Sequence, residues 1–177
     1  MKKSSDLIGR FVVDITNGNK VCNIKDIIYS KDFFKLVAFL VDDNSFRNDR
    51  KIIRFKDVKE FGDTFVMIDS IYALEKPEKY PKIKAIMAEE YIMAGHEILC
   101  EDGISMGYIK DVVFDEKMGR IVGFKITDGI IQDLLDGRSF MPYKDGMKFK
   151  DKFLIINRQI KEEFEKNKEE YKKLLSI

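Results

Sequence analysis

The chain carries one histidine, two cysteines and three prolines in 177 residues, and its 32 basic and 31 acidic side chains nearly cancel. Each scarcity excludes something. Cys22 and Cys100 stand singly, with no C-x-x-C pair, which argues against a disulfide scaffold and places the protein in a reducing cytoplasm. His96 has no second ligand at H-x-x-H or H-x-x-E spacing, so no metal site is expected. The balanced charge gives no whole-molecule field toward nucleic acid or acidic lipid, so any such binding must come from a local patch. No apolar run approaches the ~20 residues of a membrane span. The opening "MKKSSDLIGRFV" lacks the apolar centre of a secretory signal. There is no P-loop, no G-x-G-x-x-G and no G-x-S-x-G, so neither a nucleotide cofactor nor an acyl-transfer site is expected.

What is present is a repeat. Ile24-Lys25-Asp26 recurs as Ile109-Lys110-Asp111, and Val37, Phe39 and Asp43 recur at the same spacing as Val122, Phe124 and Asp128. Ile8-Gly9 corresponds to Ala94-Gly95. Beyond a loop that is longer in the second copy, "IIRFKDV" (52–58) corresponds to "FMPYKDG" (140–146) and "FVMID" (65–69) to "FLIIN" (153–157). Apolar pattern and turn positions recur together, which marks an internal duplication.

Each copy reads as short strands. Val37, Phe39 and Val41 alternate with Leu36, Ala38 and Leu40, and Val122, Phe124 and Ile126 repeat the alternation. Between the first two strands of this pattern lies a short hairpin loop. In the second copy Gly119 suits a left-handed turn residue; the first copy has Phe34 there, so the two turns are expected to differ. "FGDTF" (61–65) offers Gly-Asp as a two-residue II′ turn. Asp26 and Asp111, placed twice among strand apolars, are expected to cap backbone N–H groups of a turn. Turn spacing of this kind suggests a small barrel or a sandwich, and a barrel removes the exposed edges of an open sheet.

The fold class expected is therefore mainly all-β: two tandem small β-barrels, 1–72 and 90–157, with a linker at 73–89 and a C-terminal helix at 158–177. Pro77 and Pro81 interrupt the linker, leaving about one helical turn near 85–90. In the tail, Ile160, Phe164, Tyr171, Leu174 and Leu175 fall on one stripe, with Asn157 as N-cap. The stripe calls for a surface, on a barrel or on a second chain as in a homodimer.

Gly95, Asp102-Gly103, Gly107, Ile109, Asp111, Val122-Gly123-Phe124-Lys125-Ile126 and Met141-Pro142 resemble the PRC-barrel domain. The first copy carries a weaker version: Gly9, Asn17-Gly18, Ile24, Asp26 and residues 37–41, with Arg54 where the second has Pro142. The resemblance covers about three quarters of the chain. It implies a small β-barrel of the kind found in the photosynthetic reaction-centre H subunit and in the C-terminal domain of the ribosome maturation factor RimM. In those settings the barrel is not an enzyme.

Two stretches are candidate contact sites. The basic stretch 46–59 holds Arg47, Arg50, Lys51, Arg54, Lys56 and Lys59 with Phe46 and Phe55 interleaved, a pattern able to meet RNA phosphates or a partner. In "DGIIQDLLDG" (128–137), Ile130, Ile131, Leu134 and Leu135 would share one face of a short helix, folded over a barrel end or docking a protein. The leading expectation is a non-enzymatic binding or adaptor module with a protein or ribonucleoprotein partner. The alternatives are a small-molecule binder or enzyme with a pocket between the barrels, and a peripheral subunit of a membrane complex.

Overall fold

The computed structural model describes residues 1–42, 50–89, 91–127 and 139–174. The chain divides into two compact units. The N-terminal unit holds residues 2–92 and the segment 116–120; the C-terminal unit holds residues 93–115 and 121–177, with Met1.

In the N-terminal unit a helical turn, α1 (Ser4–Leu7), precedes six strands: β1 (Phe11–Asp14), β2 (Asn19–Ser30), β3 (Lys35–Asp42), β4 (Lys51–Arg54), β5 (Val58–Phe61) and β6 (Phe65–Ile68). Their order across the sheet is β4-β3-β2-β1-β6-β5. Strands β1 and β6 run parallel, with Phe11 opposite Phe65 and Val12 opposite Val66. In the C-terminal unit the strands are β7 (Glu97–Cys100), β8 (Ser105–Phe114), β9 (Ile121–Thr127), β10 (Ser139–Pro142), β11 (Lys148–Lys150) and β12 (Phe153–Ile156). The order β10-β9-β8-β7-β12-β11 repeats the first topology, with β7 and β12 as the parallel pair.

The duplication extends to register. Ile27 lies opposite Phe39, and Phe39 opposite Ile53. Val112 lies opposite Phe124, and Phe124 opposite Met141. Phe39 and Phe124 are 1% and 0% exposed, so each anchors a core. Each also meets an aromatic ring from the hairpin across the unit: Phe61 at 5.9 Å and Phe149 at 6.2 Å.

Asp26 and Asp111 do hold backbone, but at a bulge within a strand rather than at a turn. The β2–β3 register shifts between Ile24 and Asp26, and the β8–β9 register shifts between the pairs of Ile109 and Asp111. At each shift the carboxylate accepts the N–H of the next residue, Ile27 or Val112, at 2.8 Å. The carboxylate thus steadies the bulge from within its own strand.

The hairpin turns differ in length, the first closing over residues 31–34 and the second over 115–120, yet they share one feature that the sequence did not announce. Gly119 has φ 70° and Phe34 has φ 46°, so an aromatic residue adopts the same left-handed conformation as its glycine counterpart. Burial of the Phe34 ring, 8% exposed, offsets the strain. The II′ turn at Gly62 is not formed. Residues 62–64 make a three-residue loop, and Gly62 is not among the positive-φ glycines. Its carbonyl instead accepts a bond from the Arg10 guanidinium at 2.7 Å. In the second copy the left-handed residue is Asp151, φ 51°.

The segment between the sheets is more structured than its prolines suggest. Pro81 starts a two-turn helix, α2 (Pro81–Ala88), as its missing N–H permits at a first helical position. The helix lies on the outer face of the first sheet, where Ile83, Ile86 and Met87 meet Ile28, Ala38 and Ile52. This covering explains why the alternation in β3 fails as a guide to burial: Ala38 on one face and Phe39 on the other are both buried. In the second copy the equivalents of Ala38 and Ile52 are Gly123 and Phe140. A Cβ on Gly123 would sit 2.5 Å from the Phe140 ring, so glycine is required there.

Helix α3 (Arg158–Leu174) follows β12. Asn157 caps it, its Oδ1 accepting the Ile160 N–H at 2.9 Å. Ile160 and Phe164 are buried and Tyr171 stacks on Phe164 at 6.2 Å, as the stripe requires. Two ion pairs tie the helix to its own unit, Lys161–Asp102 at 2.8 Å and Glu163–Lys144. The side chains of Leu174 and Leu175 lie outside the described residues.

Candidate functional site

Among the described residues of the basic stretch, the cations take different partners and positions. Arg54 faces outward from β4 and is fully engaged. It forks onto Asp57, with Nη2 to Oδ1 at 3.0 Å, and its guanidinium lies over the Tyr80 ring, 4.4 Å from the centroid. The Asp57 carboxylate raises the pKa of this guanidinium further. Glu75 completes the network; Lys79, 3.1 Å away, holds its carboxyl below the usual range, with a second bond from Tyr80. Burial is the main cause that raises the Tyr80 phenol, with Glu75 adding to it. Arg54 is thus a clamp between β4 and the segment that follows the sheet. Lys59 pairs with Asp69 at 3.9 Å, a loose contact that leaves the lysine exposed. Arg50 is exposed and Lys51 half-buried. Arg47, with Phe46, lies outside the described residues, as do Ile130, Ile131, Leu134 and Leu135.

Lys56 and Lys59 reach an open groove of about 420 Å³ in the N-terminal unit. The groove is floored by Phe55 and Phe61, whose rings stack at 6.0 Å and 25°. Lys117 adds a third cation, and Glu60 and Glu116 bring two carboxylates to the same rim. The surface is of mixed sign over an aromatic floor.

The other chemically able side chains serve the fold. His96 is 3% exposed and its ring meets the Phe149 ring edge-on at 5.5 Å. It occupies the place of Arg10 in the first copy, so both residues steady the facing hairpin. Cys22 and Cys100 are buried and form no disulfide, and burial raises the Cys100 thiol. Asp14, the counterpart of Cys100, is 2% exposed and accepts from the Thr16 hydroxyl and from the Thr16 and Ile71 N–H groups at 2.9 Å. The Thr16 hydroxyl is the main cause holding its carboxyl below the ordinary range. Asp102 is held at about 2, chiefly by Lys161.

Sequence reasoning missed Tyr80 and Tyr91, and it read helix α2 as a single turn near 85–90 where the helix starts at Pro81. Tyr91 donates its hydroxyl to the second oxygen of Asp26 at 3.2 Å; burial is the main cause raising its pKa, ahead of that carboxylate. The available signal was Pro81 followed by Ile83, Ile86 and Met87 at helical spacing.

A family model for the PRC-barrel domain matches residues 1–75 and 93–159. No curated protein matches the chain at a significant level.

Proposed function

The chain belongs to the PRC-barrel domain family, and from that premise we propose that it is a non-enzymatic binding or adaptor module whose partner is a protein or a ribonucleoprotein. The observation that carries this reading is the engagement of the acids the duplication repeats. Asp26 and Asp111 each hold their own bulge, and the same carboxylates therefore hold backbone in both copies. With Arg54 clamped to Asp57 and Tyr80, what the N-terminal unit offers a partner is surface. The mixed-sign rim over Phe55 and Phe61 favours protein contact over RNA phosphate contact. Buried cysteines that form no disulfide suit a reducing cytoplasm. Among the described residues no helix is long and apolar enough to cross a membrane.

Affinity capture from lysate, with and without ribonuclease, followed by mass spectrometry, tests the proposal. A defined protein retained after ribonuclease treatment supports it, and a Lys56→Glu, Lys117→Glu variant should lose that protein. Recovery that vanishes with ribonuclease would replace protein contact by RNA contact. Capture of no macromolecule would overturn the adaptor reading.

A further inference from the structure

The two sheets cover the same outer position in different ways. In the C-terminal unit the position is filled in part from within its own sheet, by the Phe140 ring lying against Gly123. In the N-terminal unit Ala38 and Ile52 leave a shallower apolar face, and helix α2 supplies the cover. The residues beneath are completely covered: Ile28, Ala38 and Ile52 are each 0% exposed. The helix above is not. None of its own residues is buried, no side chain caps its N-terminus at Tyr80, and it runs for only 8 residues. A helix shorter than about 12 residues does not persist without a surface to lie on. Its fixings stand at its two ends: Tyr80 under the Arg54 guanidinium at 4.4 Å, and Tyr91 hydrogen-bonded to Asp26 at 3.2 Å.

We propose that this outer face is a docking groove for an amphipathic helix, and that α2 is its resident occupant, displaced when a partner's helix of the same pattern takes its place. The pattern is read from α2 itself: an aromatic residue to lie against Arg54, then apolar residues three, six and seven positions on, as Tyr80, Ile83, Ile86 and Met87 provide. Segments with few buried side chains open without global unfolding, which supplies the access a partner needs. A helix laid into an apolar groove through anchors at this spacing is a general mode of peptide recognition. The proposal rests on the binding-module reading for the existence of a partner, but the behaviour of α2 is tested without one.

The first measurement is hydrogen exchange on the full-length chain. Amides of residues 84–88, the hydrogen-bonded part of the helix, should show protection at least tenfold below those of β2 and β3. Equal protection would make α2 an integral part of the unit and overturn the proposal. The second uses a labelled peptide of residues 77–91 as the probe, with a scrambled peptide as control. An Ile83→Asp, Ile86→Asp chain, whose own helix is weakened, should bind the probe at least tenfold more tightly than the wild type. A folded variant that binds neither peptide, or both alike, would overturn the proposal, and so would a variant whose sheet unfolds. Failure of either measurement leaves the groove at Phe55 and Phe61 available to a partner. Failure to capture any protein from lysate would leave the exchange result standing.

Discussion

Replacing Phe34 by glycine should leave the protein more stable than replacing it by alanine, which inverts the usual order. The ring is 8% exposed, so either truncation forfeits nearly all of its burial. For a buried phenylalanine that loss is about 3–5 kcal/mol. The two variants differ in the backbone. At φ 46° a residue with a Cβ stores strain of about 1–3 kcal/mol, and alanine keeps it. Glycine removes the strain but loses about 0.5–1 kcal/mol more conformational freedom on folding than alanine does. The difference leaves Phe34→Gly about 1 kcal/mol above Phe34→Ala, while both fall below the wild type. Gly119, φ 70°, supplies the mirror experiment: Gly119→Ala should destabilise, because a Cβ there lies 3.0 Å from the Phe55 ring and 3.2 Å from the Leu36 carbonyl oxygen. Urea unfolding followed by far-ultraviolet circular dichroism, with midpoints compared across the variants, reads the order directly. Two units in one chain can give two transitions, so each transition is compared with its own wild-type counterpart. If Phe34→Ala proves as stable as Phe34→Gly, the left-handed backbone carries no strain at that turn and the reasoning fails.

Gly123→Ala should destabilise the C-terminal unit by about 1–3 kcal/mol through overpacking, and a second substitution, Phe140→Ile, should recover part of the loss; additive losses by thermal melting would refute the coupling. Truncating Phe164 to alanine should cost about 3–5 kcal/mol and loosen α3, seen as faster exchange across residues 160–171; unchanged exchange would mean that Phe164 does not anchor the helix. Acid should loosen the same helix. Asp102 is held at about 2 by Lys161, and Lys144 lowers Glu163. Groups whose pKa is depressed by folding contribute stability above their unfolded pKa and lose it as pH falls through the folded value. The loss should therefore run from about pH 4 down to pH 2, and Asp102→Asn should flatten that part of a melting-temperature profile; an identical profile would remove the Asp102–Lys161 pair from the account.

The duplication was legible because it is written in residues that point the same way at every level. Ile24, Asp26, Phe39 and their counterparts recur at fixed spacing, and each takes the same partner in its sheet. The Asn157 cap was legible for a similar reason: its chemistry is local, completed within three residues. Phe34 was not. Nothing in a bulky aromatic announces a left-handed backbone, and only burial of the ring holds it there. Only the end of helix α2 was legible, because prolines, which break a helix from within, start one at its first position. The candidate site was least legible. A row of cations in sequence says nothing of which will find a carboxylate, and Arg54 met both Asp57 and Tyr80, the latter 26 positions away in the chain. The aromatic floor under Lys56 was readable only in half, since Phe61 joins Phe55 through the turn of chain between β4 and β5.

The Ala38–Ile52 pair and the Gly123–Phe140 pair also constrain how two copies of one ancestral unit can have drifted apart. From the alanine–isoleucine state, the route to glycine–phenylalanine has an allowed order and a blocked one. Losing the methyl first opens a small void and costs about 1 kcal/mol. Enlarging the isoleucine first drives a ring onto a Cβ, a contact about as close as the 2.5 Å that a Cβ on Gly123 would make with the Phe140 ring. Selection acting on single steps would admit the first path and purge the second. The N-terminal copy can then take the glycine alone but not the phenylalanine, and the C-terminal copy the isoleucine alone but not the alanine. Recombination between the copies, or a consensus sequence averaged over them, would bring together halves that do not fit, although each residue is native to its own sheet.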